Sequence, residues 1–95
     1  MKYIKIQKFW TLSNTDRIIA YLYSREGGYT TSRELERVCN IPAGDISSYI
    51  KWLLFKGVVK RKKSTLQTRI HYFFTFNKLP IKKSHIKEVV VERKK

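Results

Sequence analysis

The sequence predicts one small α+β domain in which three helices are followed by a two-stranded β-hairpin. Three observations support this. Capping boxes begin two helices in the first half, one apolar face at helical spacing runs through residues 43–56, and β-branched and aromatic residues become frequent after Gly57. A chain of 95 residues is long enough for one such domain and too short for two. We expect a core of residues 14–76, an N-terminal arm of residues 1–12 and a C-terminal tail of residues 77–95.

The first two helices are predicted from their N-terminal caps. Ser13 and Thr31 are each followed three residues later by a carboxylate, so side chains can satisfy the unpaired amides of a first helical turn. The first helix is placed at residues 14–26 and the second at residues 32–39. Asn40 favours a left-handed end to the second helix.

The third helix is predicted at residues 43–56, and strands at residues 58–63 and 69–76 form the hairpin. About three residues separate the second helix from the third, which is the spacing of a helix-turn-helix. Pro42 prevents the second helix from continuing, and Gly57 ends the third. The apolar face of the third helix consists of Ile46, Tyr49, Ile50, Leu53 and Leu54.

Short apolar patterns define the arm and the tail. Ile4 and Ile6 stand at strand spacing, so we expect the arm to be a short strand or an extended segment. In the tail, the apolar residues within 86–90 fit one helix face, whereas residues 89–91 also suit a strand. We favour a helix.

Positive charge is concentrated in the second half of the sequence. The chain has 21 Lys and Arg against 7 Asp and Glu, a formal net charge of +14. Residues 1–50 hold seven basic and five acidic side chains, whereas residues 51–95 hold fourteen basic and two acidic ones. A charge that served only solubility would not need to collect in one half. The pattern therefore favours a polyanionic partner, which could be DNA, RNA or an anionic membrane.

Few residues suit metal binding, disulfide formation or catalysis. Cys39 is the single cysteine, and His71 and His85 add no metal-ligand spacing, so we expect no disulfide within the chain and no metal site. The motifs supply no set of nucleophile, base and orienting group, and we expect neither an enzyme nor a cofactor. No apolar stretch is long enough for a signal peptide or a membrane span, which favours a cytoplasmic protein without a membrane partner.

The order of helix, helix, turn, helix and basic hairpin resembles that of the winged helix-turn-helix superfamily. LERVCNIP at residues 35–42 stands in the place of the second helix and the turn, and ISSYIKWL at residues 46–53 in that of the recognition helix. KGVV at residues 56–59 matches the glycine turn into the wing, and RIHY at residues 69–72 matches the returning wing strand. The resemblance covers residues 14–76. It is nearest to small regulators of the MarR, ArsR and PadR type and to short winged-helix proteins of thermophilic archaea, their plasmids and viruses.

The resemblance implies a double-stranded DNA partner, with the recognition helix at residues 43–56 in the major groove and the basic wing at residues 58–76 on the backbone or in the minor groove. With Ile46 facing the core, Gly44 faces outward and would allow close approach, and Lys51 could reach guanine or a phosphate. The predicted DNA contacts are Arg33, Ala43, Gly44, Ser47, Ser48, Lys51, Lys60, Arg61, Lys62, Lys63, Thr65, Gln67 and Arg69. The alternative for the residues of the third helix is a plain solvated face, and for the wing it is a solvated basic hairpin. For Arg33 the alternative is pairing with a surface neighbour such as Glu36.

Two features limit what these residues can do. Ser47 and Ser48 stand where arginine is common in this superfamily, which weakens the expectation of guanine readout, and Pro42 stands where a Ser or Thr cap is usual. Successive side chains of a strand point to opposite faces, so the wing cations cannot all contact one DNA backbone.

Aromatic residues raise two further expectations. Tyr72, Phe74 and Phe76 alternate along a strand, and we expect them to cover the third helix as core residues rather than to stack on single-stranded bases. Trp52 and Phe55 lie outside the core face of the third helix. We expect the arm or the tail, from the same chain or from a second subunit, to cover them, and we predict a homodimer. The alternative is a single exposed aromatic residue, which is common on protein surfaces.

These expectations lead to a nucleoid-associated DNA-binding protein, in the first place a transcriptional regulator. One alternative is an architectural or partition-type protein that coats DNA with little sequence preference, which the scarcity of arginine on the third helix favours. The other is a winged-helix module for protein interactions in replication or transcription.

Overall fold

The computed structural model describes residues 2–25, 28–66, 69–79 and 85–92, with side chains at all of these positions except 64–66, 69–71 and 92. Within these ranges the chain forms five helices and two small antiparallel sheets, so the predicted α+β class is confirmed. The elements in chain order are β1 (Lys2–Ile4), α1 (Ile6–Phe9), α2 (Asn14–Ser24), α3 (Ser32–Cys39), α4 (Ala43–Phe55), β2 (Val59–Leu66), β3 (Arg69–Phe76), α5 (Ile86–Val89) and β4 (Val90–Glu92). The three predicted helices are α2, α3 and α4.

Side-chain caps begin α2 and α3 as predicted. Ser13 Oγ accepts a hydrogen bond of 3.3 Å from the amide of Asp16, and Thr31 Oγ1 accepts one of 3.1 Å from the amide of Glu34. These bonds pair amides that have no partner within a helix. α2 ends at Ser24, two residues earlier than predicted.

The turn between α3 and α4 is held by a left-handed residue and by one arginine. Asn40 has a φ of 55° and a ψ of 54°, which ends α3 where the sequence predicts. Arg17 of α2 donates hydrogen bonds to the carbonyl oxygens of Cys39, at 3.0 Å, and Leu12, at 2.8 Å. It also donates to Asn14 Oδ1. The end of α3 is thereby fixed against the start of α2.

The hydrophobic core lies between these three helices and the base of the hairpin. Its fully buried side chains include Ile18, Ile19, Leu22, Leu35, Cys39, Ile41, Ile46, Leu53 and Val58. The core also extends outside the predicted range of 14–76, because Phe9 and the tail residues Ile86, Val89 and Val90 are buried in the same cluster.

The hairpin of β2 and β3 is attached to the helices at two places. Gly57 has a φ of 76°, a conformation that costs glycine little, and its carbonyl accepts a 2.7 Å hydrogen bond from Asn77 Nδ2. Thr30, just before α3, exchanges two backbone hydrogen bonds of 2.7 and 2.8 Å with Phe74 of β3. The strands pair in register from Val59 opposite Phe76 to Leu66 opposite Arg69.

The arm and the tail pair with each other. β1 and β4, which we call the terminal clasp, form an antiparallel sheet with Lys2 opposite Glu92 and Ile4 opposite Val90, and both strands contact α2. The described part of the tail is one helical turn followed by this strand, so a wholly helical tail is wrong. α5 ends and β4 begins at Val90 because the chain can pair with β1 from that residue on.

The expectation that the arm or tail of the same chain covers Trp52 and Phe55 is wrong for the described residues. The terminal clasp lies against α2, and Trp52 and Phe55 remain 48% and 83% exposed. The two terminal segments instead pair with each other and pack on α2.

Candidate nucleic-acid interface

A groove of about 780 Å³ lies between the start of α3, one side of α4 and the inner face of the hairpin. Three cationic side chains line it, and each comes from a different element: Arg33 from α3, Lys51 from α4 and Arg61 from β2. We call it the cationic groove. Its apolar floor consists of Ile50, Leu54 and Phe74, and its hydroxyl groups belong to Thr31, Ser32, Ser47 and Tyr72.

The charges of the cationic groove are not compensated by its described lining, which contains no carboxylate. Arg33 and Lys51 are exposed and make no hydrogen bond or ion pair with the described part of the chain. Three like charges on a partly apolar surface raise the local positive potential, and this potential attracts anions.

Glu34 follows Arg33 in the sequence, but its carboxylate is engaged elsewhere. It accepts a hydrogen bond from the Thr30 hydroxyl, and this bond lowers the pKa of Glu34. The neighbouring Tyr21 accepts a 3.2 Å hydrogen bond from Arg25. Glu34 therefore belongs to the α2–α3 junction and does not neutralise the groove.

α4 presents one side to the core and the opposite side to solvent. Ile46, Ile50 and Leu53 are buried. The predicted contacts on this helix are all exposed: Ala43, Gly44, Ser47, Ser48 and Lys51. Of these, Ser47 and Lys51 line the cationic groove, while the others lie on the outward face.

Two details refine what this outward face can offer. A Cβ placed on Gly44 would meet no atom within 4 Å, so the helix surface is open there. The hydroxyl groups of Ser47 and Ser48 donate to the carbonyl oxygens of Ala43, at 3.3 Å, and Gly44, at 3.5 Å. Rotation of either hydroxyl hydrogen about its Cβ–Oγ bond would let the serine donate to a partner instead.

The basic residues of β2 divide between the two faces of the hairpin, as strand alternation predicts. The Arg61 guanidinium lies 4.8 Å from the centre of the Tyr72 ring, on the side of the cationic groove. The Lys62 ammonium lies 4.8 Å from the Tyr29 ring. Lys60 and Lys63 are exposed. Only Arg61 among these four lines the groove.

Tyr72 is not a core residue, which corrects one expectation. Phe74 is 7% exposed and Phe76 packs against Tyr23 with ring centres 5.1 Å apart, but Tyr72 is 42% exposed. Tyr72 pairs with Lys63, two residues nearer the hairpin tip than buried Phe74, and it lines the groove rather than the core. Its ring instead stacks with Arg61 in the groove.

Several residues that line the groove were not predicted, and some predicted contacts lie outside the described residues. Thr31, Ser32 and Tyr72 line the groove, although none of them was among the predicted contacts with double-stranded DNA. A cue existed for Thr31 and Ser32, because a helix N-terminus is a common anion site. Gln67 lies outside the described residues, and so do the side chains of Thr65 and Arg69, although the backbone at 65 and 69 is part of the hairpin.

Other reactive groups in the described ranges do not form a second site. Burial raises the pKa of the Cys39 thiol to about 12, so the thiolate is scarce at neutral pH. His85 Nε2 lies 3.0 Å from Asp16 Oδ2 and links α5 to α2. Within the described ranges, no group of three or more His, Cys, Asp or Glu could hold a metal ion, and no helix is both long and apolar enough to cross a membrane.

Comparison of the chain with models of known families, with curated proteins and with solved structures gives no significant match. The candidate interface therefore rests on its own geometry.

Proposed function

We propose that this chain is a winged helix-turn-helix protein that binds double-stranded DNA without acting on it chemically, and that it serves as a transcriptional regulator in the nucleoid. The single observation behind this proposal is the cationic groove. Three elements contribute three uncompensated cations to one groove beside an exposed helix of 13 residues. A B-form major groove admits a helix of this size.

The proposed docking places α4 in the major groove and the hairpin over the neighbouring minor groove. One DNA backbone strand then lies in the cationic groove between them. Arg33, Lys51 and Arg61 contact its phosphates, and Tyr72 supports Arg61 from below. The amides of the first turn of α3 add partial positive charge at the same place.

Phosphate contacts give affinity, and in the proposed docking α4 is the element that reaches base edges in the major groove. Its outward face offers Gly44 and Ser48 at the start and a single cation, Lys51. The scarcity of arginine on this face favours a second candidate function, a protein that coats DNA with little preference. A protein-interaction module is the third, and a failure to bind DNA would favour it.

Homodimerisation also stays a proposal. A two-fold dimer would suit a palindromic site. Trp52, on the flank of α4, is half exposed and would be available to a second copy.

The test is a salt titration of binding to a specific and a random duplex. A variant with Arg33, Lys51 and Arg61 changed to alanine should flatten the plot of log affinity against log salt by about 2.7, because each phosphate contact contributes about 0.9. The matched control changes Lys5, Lys8 and Lys87, which are exposed and outside the groove lining, so it removes the same charge.

The outcomes separate the candidates. A smaller change of slope in the control supports the groove, and equal changes in both variants contradict it. A preference of the wild type for one duplex favours the regulator, and its absence favours the coating protein. Duplex RNA of the same sequence should bind less well, since its deep, narrow major groove does not admit a helix. Equal affinity for RNA would contradict the placement of α4.

A further inference from the structure

Phe55 is the most exposed large apolar side chain in the described part of the molecule. It is the last residue of α4, four residues after Lys51 and seven after Ser48. At 3.6 residues per turn these three residues stand on one line, on the side of the helix opposite to buried Ile46. Phe55 therefore continues the outward face for which we propose DNA contact.

The described part of the chain does not cover Phe55. The terminal clasp lies against α2, and the neighbouring Lys56 places its ammonium 5.6 Å from the centre of the Trp52 ring. At 83% exposure, the ring is available to an external partner of the outward face.

A second copy of the chain is a poor occupant of this position. A subunit packed on Phe55 would also cover Lys51, one helical turn earlier, and so would remove α4 from DNA. Two such faces would also bring Lys51 and Lys56 of both copies together, because both side chains are exposed beside the ring. These lysines would repel a second copy of the chain, whereas they would attract the phosphates of DNA.

We propose that Phe55 contacts the 5-methyl group of a thymine in the major groove, which makes it a specificity-determining residue; this inference rests on the proposed function. A phenyl ring cannot donate or accept the hydrogen bonds by which other base edges are read. The thymine methyl is the apolar group that the major groove presents, and phenylalanine is one of the side chains that contact it.

The length of α4 fits this contact. Gly44 and Phe55 are eleven residues apart, about 16 Å along a helix that rises 1.5 Å per residue. This is roughly five base-pair steps of 3.4 Å. When α4 lies along the groove with Gly44 near one base pair, Phe55 reaches a base about five steps away.

The test compares mixed-sequence duplexes made once with thymine and once with deoxyuridine at every such position. Deoxyuridine lacks only the 5-methyl group and keeps the charge and the hydrogen-bonding pattern. Wild-type protein should bind the thymine duplexes about fourfold more tightly for each methyl contacted. Phe55→Ala should lower this ratio, Phe55→Leu should keep part of it, and the control Trp52→Ala should keep all of it.

Both affinities in the thymine-to-uracil ratio are measured with the same protein preparation. Partial misfolding of a variant lowers both affinities equally and therefore does not change the ratio. The same thymine-to-uracil ratio in Phe55→Ala and in the wild type would overturn the inference, and so would a wild-type ratio of one. A wild type that binds neither duplex at low salt would overturn the proposed function itself. Sedimentation of the protein without DNA adds a further check: a dimer that Phe55→Ala converts to a monomer would assign Phe55 to a second copy instead.

Discussion

Arg17 and Arg61 are the same type of residue in two contrasting regions. Arg17, at the junction of α2 and α3, directs its guanidinium to two carbonyl oxygens and an amide oxygen of its own chain. Arg61, in the cationic groove, makes no hydrogen bond with the described residues, and its guanidinium lies over Tyr72. One region uses a cation to fix the positions of the helices, and the other leaves its cations available to a partner.

This contrast explains why net charge alone is a coarse guide. Arg17 and Arg61 count equally toward +14, but a guanidinium already bonded to carbonyl oxygens has few donors left for phosphate. Within residues 51–95, Lys51 and Arg61 line a groove whose described lining contains no carboxylate, so their charge is available to a partner.

Among substitutions that test the contrast between Arg17 and Arg61, the largest expected effect is the loss of stability in Arg17→Ala. Arg17→Ala removes hydrogen bonds to the carbonyls of Cys39 and Leu12, and should cost about 2–3 kcal/mol of unfolding free energy. Arg17→Lys should recover little, because an ammonium cannot reproduce the planar fork. Arg61→Ala should change stability by less than about 0.5 kcal/mol and weaken DNA binding. Denaturant unfolding and a binding titration measure both quantities, and a large stability loss in Arg61→Ala would contradict the division of roles.

A substitution at Gly44 should have smaller effects, of opposite sign on stability and on DNA affinity. Alanine fits the open space there and favours a helix, so Gly44→Ala should raise stability by up to about 1 kcal/mol. The added methyl group faces the proposed DNA surface, so affinity should fall although the protein is more stable. A melting curve and a binding titration on the same preparation test this. Unchanged affinity would place DNA away from the first turn of α4.

The smallest effect concerns pH and belongs to the α2–α3 junction. The hydrogen bond from Thr30 lowers the pKa of Glu34 below its usual value near 4.5, so the folded state binds the proton less tightly than the unfolded state. The stabilisation is complete above the unfolded pKa and is lost as the pH falls through the folded pKa. Glu34→Gln should therefore melt at a slightly lower temperature than the wild type at neutral pH, and the difference should vanish in acid. A difference that persists at low pH would assign the effect to something other than this carboxylate.

Local signals predicted the helices well. Thr31 and Asn40 mark the two ends of α3 in the structure, as the sequence predicted. Such caps depend only on residues a few positions away, so they can be recognised in the sequence. The buried face of α4 followed from the spacing of Ile46, Ile50 and Leu53. The tail was harder, because the choice between helix and strand at Val90 depends on pairing with Ile4, which is distant in sequence.

The interface was predicted as separate residues and not as a groove. Arg33, Lys51 and Arg61 were each expected to contact DNA, but their convergence depends on how the hairpin is oriented against α3 and α4. Tyr72 was misplaced for the same reason. Alternation gives the face of a strand on which a residue lies, and it does not give how far along that face the buried core extends.

The terminal clasp also bears on the order of events during folding. Lys2 and Glu92 are separated by ninety positions, so their pairing closes a loop that includes almost the whole chain. Closing so long a loop costs conformational entropy, and the three residue pairs of the clasp compensate for little of this cost. The clasp becomes more stable once α2 has formed and its strands can pack on that helix. We therefore expect the helices and the hairpin to assemble first and the clasp to close last, which joins the two terminal segments on α2 only after the cationic groove has formed.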